Sequence, residues 1–111
     1  MLFILGLVLL SGCQSTNKTG TAGQAAVQGD SSVTIRNYMF QPSDLTISVG
    51  STVTWTNEDS VPHKIVSDTG SEISSGVITT NNVYKHTFSQ KGTYAYHCSI
   101  HPSMQGIITV E

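Results

Sequence analysis

From residue 33 to the C-terminus no stretch offers ten residues with a helical period, which removes most of the ways a chain of this size can build a core. What recurs instead is alternation with a period of two. It comes in short runs rich in β-branched and aromatic side chains, with turn residues between them. Residues 33–36 alternate, and residues 37–44 break the run, because Pro42 has no N–H for a central strand. Leu45, Ile47 and Val49 share a face, Gly50-Ser51 marks a turn, and residues 52–57 point Val53 and Trp55 inward. A single Trp in so small a domain is expected to fill the core. Residues 57–62 form a polar loop, and His63 opens the next strand with Ile65 on its face. Residues 68–82, rich in Gly and Ser, receive no element. Further runs put Tyr84, His86 and Phe88 on one side, then Tyr94, Tyr96 and Cys98, and residues 106–110 close the domain. About seven strands over about 80 residues imply an all-β fold, a small Greek-key β-sandwich of two packed antiparallel sheets.

The first 32 residues obey other rules. Residues 1–12 are almost wholly apolar and end in small residues before Cys13. The run is shorter than the about 20 residues that cross a bilayer as a helix. Leu10-Ser11-Gly12-Cys13 resembles the lipobox of bacterial lipoproteins, where the chain is cut before a lipidated thiol. The positive charge that usually follows the first residue of an export signal is missing here. Residues 14–32 hold one aliphatic side chain larger than Ala, too little apolar area to offset the entropy of ordering them. The expected organisation is a lipoprotein signal peptide over 1–12, a lipidated Cys13 and flexible tether over 13–32, and a folded domain over 33–111. Such a protein would work outside the cytoplasm, lipid-anchored to a membrane.

Five basic side chains and a formal net charge of −2 exclude the dense positive surface that nucleic-acid binding needs. With Cys13 assigned to lipid, Cys98 is the one thiol left for the folded part, where exported domains usually carry cysteines in pairs. Its neighbours supply a reason. Cys98, His101 and Met104 fall at i, i+3 and i+6, at a strand end and in the loop after it. A thiolate and two imidazoles in a trigonal set, with a weak bond to a Met sulfur, suit a copper ion that exchanges electrons. Cu(I) favours soft sulfur and Cu(II) favours nitrogen, so a mixed set held stiffly changes little as the electron moves. The loop offers one imidazole, and His63 is the natural donor of the second, with His86 its rival. His97, next to Cys98 in a strand, points the other way. Structural zinc would want four Cys or His ligands, and c-type haem a Cys-x-x-Cys-His motif, which is absent. No acid beside His101 supports a Cys–His nucleophile.

These residues resemble the cupredoxins, in particular the plastocyanin and amicyanin branch, from about Val33 to Glu111. The resemblance is carried by Trp55-Thr56-Asn57 with Asp59, by Pro62-His63, by residues 92–98, and by His101-Pro102-x-Met104-x-Gly106. It implies that His63, Cys98, His101 and Met104 are the copper ligands. It also implies a one-electron carrier, not an enzyme, cycling between Cu(II) and Cu(I) and expected to be monomeric. Redox proteins would dock near His101, among apolar residues such as Pro62, Met39, Ile100 and Pro102. Lys64 departs from the pattern: the family often has Asn there, whose side chain helps tie the ligand loops, and Ser99 is the other half of that tie. A copper chaperone or buffer is the alternative function; it would release Cu(I) readily, whereas a carrier holds copper in both states.

Overall fold

The alternating runs become strands, and each turns its apolar residues to one interior. The computed structural model describes residues 29–111; the expected leader, Cys13 and tether residues 14–28 lie outside the described residues. Eight strands are present among them: β1 (Asp30–Arg36), β2 (Met39–Gln41), β3 (Asp44–Ile47), β4 (Thr52–Asn57), β5 (Ile65–Ser67), β6 (Val83–Thr87), β7 (Gly92–Cys98) and β8 (Gln105–Val110). They form two four-stranded sheets, ordered β2-β1-β4-β6 and β3-β8-β7-β5, packed as a β-sandwich. Val33, Ile35, Val53 and Trp55 of one sheet and Ile47, Tyr96 and Ile108 of the other are completely or almost completely buried. Trp55 sits at the centre, edge-on to Tyr96 of the facing sheet with ring centroids 5.6 Å apart.

Three features differ from the expectation. The sheets are mixed: β1 runs parallel to β4, and β3 parallel to β8. Period-two alternation sets which face is buried but carries no information about strand direction, so sequence could not separate the two arrangements. Second, β1 begins at Asp30, within the segment read as tether, because Asp30 to Ser32 pair with Thr52 to Thr54 of β4. Backbone hydrogen bonds order these residues with little help from apolar burial. Third, residues 37–44 are not a simple break: Asn37 and Tyr38 make a two-residue hairpin turn into β2. Both have positive φ, 53° and 58°, the left-handed pair that a tight hairpin requires. Pro42 follows β2 and interrupts no central strand.

The stretch left without an element, residues 68–82, returns along β5 through isolated bridges, His63 with Ile78 and Val66 with Ser74. Ile73 and Ile78 are buried against the core. This return braces the start of β5 from outside. The loop before β5, the end of β7 and the loop from β7 to β8 meet on that side of the sandwich, linked by backbone hydrogen bonds.

Candidate metal centre

Asn57, the last residue of β4, organises the first of these loops. It is fully buried, and its side-chain N–H groups donate to the carbonyls of Val61 at 2.9 Å and Ile78 at 2.8 Å. Its Oδ1 accepts from the Asp59 N–H at 2.9 Å. One amide thereby fixes both ends of the polar loop. His63 then enters the core, also fully buried, with its own N–H and C=O both bonded to Ile78.

Opposite it, β7 ends in Cys98, which is buried and is the free cysteine of the described residues. The Cys98 Sγ lies 3.5 Å from the His63 Nδ1 and 3.9 Å from the His101 Nδ1. The three ligand atoms all fall within 4.8 Å of one another. Atoms this close together can share one first-row metal ion, whose bonds to imidazole and thiolate are about 2.0–2.3 Å long. The donor set of one sulfur and two nitrogens is that of a copper site. His63, Cys98 and His101 thus form a single copper-binding site.

The protonation pattern agrees. The Asp59 Oδ2 lies 2.8 Å from the His63 Nε2. An ionised carboxylate only accepts, so Nε2 carries a proton, and Nδ1 is the nitrogen that faces Cys98. Burial pushes the Asp59 carboxyl up, but hydrogen bonds from the Tyr38 N–H, His63 and the Asn37 N–H outweigh it and hold the group below the usual range. The Lys64 N–H donates to the Cys98 sulfur at 3.5 Å.

The loop from β7 to β8 is closed by its own backbone. The Cys98 N–H donates to the Met104 carbonyl at 3.0 Å, and the Met104 N–H to the His101 carbonyl at 2.9 Å. Met104 is buried at 3 % exposure in the same loop. The Ser99 N–H donates to the Lys64 carbonyl at 2.8 Å, joining the two ligand loops. That bond is main chain to main chain, so the substitution of Lys64 for the family's usual Asn leaves a tie in place.

The rivals fall elsewhere. His97 faces outward, its Nδ1 2.6 Å from Asp68, and His86 on β6 pairs with Glu72 at 2.8 Å. One participant escaped the sequence reading. The Tyr38 ring meets His101 edge-on at 5.0 Å and His63 at 5.8 Å, covering the pair while remaining half exposed. The available signal was Asn37, a residue that tolerates left-handed backbone, between two short alternating runs.

Comparison with known proteins agrees with this geometry. The family model of the cupredoxin-like domain matches residues 2–110. Amicyanin-alpha of Methylorubrum extorquens is 35% identical over 94 residues, covering 81% of this chain and 79% of the relative. Plastocyanin of Scenedesmus fuscus is 37% identical over 86 residues, covering 66% and 87%. Among solved structures, a purple cupredoxin from Nitrosopumilus maritimus superposes with a TM-score of 0.69 at 38% identity, covering 74% of this chain and 100% of that one. An all-β sandwich of two mixed sheets, a buried Cys between two imidazoles at one end, and this match along nearly the whole sequence together make the chain a member of the cupredoxin family.

Proposed function

We propose that His63, Cys98, His101 and Met104 hold one copper ion and that the protein passes single electrons between redox proteins outside the cytoplasm. The observation that carries this reading is the convergence of the His63 Nδ1, Cys98 Sγ and His101 Nδ1, with Met104 buried in the same loop. When bound, copper supplies a one-electron couple between Cu(II) and Cu(I). The protein supplies an unchanging frame. His63 is braced by Asp59, Cys98 by the Lys64 N–H, and the ligand loops by the Ser99–Lys64 bond, so the donors need move little between the two states. Burial of Cys98 and His63 favours retention of the ion over its release to an acceptor.

His101 is the ligand nearest solvent, and Tyr38, Met39 and Ile100 around this end are 50%, 51% and 44% exposed. An apolar surface beside a partly exposed ligand suits brief docking of a partner, with the electron leaving through the imidazole. Cys13 carries a lipid in this proposal, residues 1–12 are the removed leader, and the tether lets the domain reach partners at the membrane.

Visible absorption of the oxidised, copper-loaded domain tests the site. An intense thiolate-to-copper band is expected, colouring the protein blue or green, or purple as in the name of the Nitrosopumilus relative. Cys98→Ser and His63→Ala should abolish it, and His97→Ala should leave it largely intact. A colourless copper-loaded sample in which Cys98 still reacts with a thiol reagent would refute the proposal.

A further inference from the structure

Asp59 spends its carboxylate on two elements at once. Oδ1 accepts the Asn37 N–H at 2.7 Å, while Oδ2 accepts the Tyr38 N–H at 3.0 Å and the His63 Nε2–H at 2.8 Å. The side chain is only 11% exposed. Its main chain is pinned as well: its N–H is held by Asn57, and its carbonyl accepts the Thr80 hydroxyl at 2.7 Å. Consecutive N–H groups of a tight turn form a concavity that binds anions, and here a carboxylate of the same chain fills it.

The turn needs that anion. Tyr38 adopts φ of 58°, a left-handed conformation that a bulky residue seldom takes. Nothing in the hairpin itself selects tyrosine there. What the conformation achieves is placement: the ring stands edge-on to both imidazoles.

Resting on the copper reading above, we infer that Asp59 is the positioning residue of the site: it fixes the tautomer of His63 and, through the Asn37–Tyr38 turn, the aromatic cover over both imidazoles. Two consequences follow. A carboxylate on the far nitrogen of a ligand imidazole adds negative charge behind the metal and makes the ring a stronger donor, which favours Cu(II) over Cu(I). The same carboxylate couples the shape of the docking surface to the ligand it serves, since the turn that carries Tyr38 and the His63 ring share one anchor.

The test is Asp59→Asn, with Asp59→Glu as the variant that keeps the charge. In the metal-free protein, imidazole nitrogen shifts should place the His63 proton on Nε2. In Asp59→Asn that preference should be lost, together with the Overhauser contacts between Tyr38 and His101. After loading with copper alone, Asp59→Asn should bind Cu(II) about 10- to 100-fold more weakly, the usual cost of losing such a partner. Cu(I) affinity should fall less, so the ratio of the two drops and the reduction potential rises, by about 59 mV for each tenfold change. Asp59→Glu should lie between wild type and Asn. If Asp59→Asn fails to fold, the same shifts and ratio are read in Asp59→Glu, where smaller changes in the same directions are expected. Unchanged nitrogen shifts and an unchanged affinity ratio in the folded variants would overturn the assignment. A wild-type protein without the thiolate band would refute the copper reading instead, leaving the metal-free measurements to decide the role of Asp59.

Discussion

Gly106→Ala should destabilise this protein although the residue is small and lies in an extended strand. In the β7–β8 register Gly106 faces Tyr96. A Cβ at residue 106 would fall inside contact distance of the Tyr96 Cζ and hydroxyl and only 2.9 Å from Cε1. The ring cannot swing aside: Tyr96 is fully buried, edge-on to Phe40 at 4.8 Å and to Trp55 at 5.6 Å. Overpacking of this kind costs about 1–3 kcal/mol. The loss of backbone freedom in the unfolded chain offsets about 0.4–1 kcal/mol. A net loss of about 1–2 kcal/mol corresponds to a Tm lower by about 4–16 °C for a domain of this size. The assay is thermal and urea unfolding of the metal-free protein, so that copper binding to the native state does not mask the change. Tyr96→Ala supplies the control, because in that background the added methyl has room and the penalty should vanish. If Gly106→Ala unfolds at the wild-type temperature, or costs as much without the Tyr96 ring, the packing argument fails.

Two further outcomes are expected. Burial pushes the Tyr96 phenol up to about 12; Trp55 acts in the opposite sense, and the Asp44 charge raises it further. The folded state then keeps a proton that the unfolded chain, near its ordinary value of about 10, gives up. The contribution is complete below pH 10 and is lost as pH rises toward 12, amounting to about 3 kcal/mol in all. Urea midpoints measured from pH 8 to 11.5 should fall steeply for wild type and less for Tyr96→Phe; equal slopes would contradict this. Asn57→Ala strands the Val61 carbonyl and the Asp59 N–H, and leaves the Ile78 carbonyl with the His63 N–H as its partner. It should cost about 3 kcal/mol and weaken the copper band by loosening His63, whereas retention of wild-type stability and spectrum would show that the loop holds itself.

The ligand loop was legible because Cys98, His101 and Met104 lie within seven residues, so local spacing alone puts all three on one loop. Trp55 could be placed in the core, and Tyr96 on the face of Cys98, for a similar reason: in a strand the side-chain direction alternates. His63 was a weaker inference, since it stands 35 positions from Cys98 and only folding makes them neighbours. The second short strand and its turn were missed, because three strand residues carry too little periodicity to register and a left-handed Tyr is rare.

The chain alone determined that the fold is a β-sandwich and that a thiolate, an imidazole and a thioether gather at one loop, since both follow from spacing along a polymer with fixed backbone geometry. Tertiary structure decided the strand directions, the carboxylate partner of His63 and the aromatic cover over His63 and His101. Those depend on which distant segments meet: the 2.8 Å contact from Asp59 to His63 and the Tyr38 ring over His101 arise where separate loops converge, and no local pattern encodes that meeting.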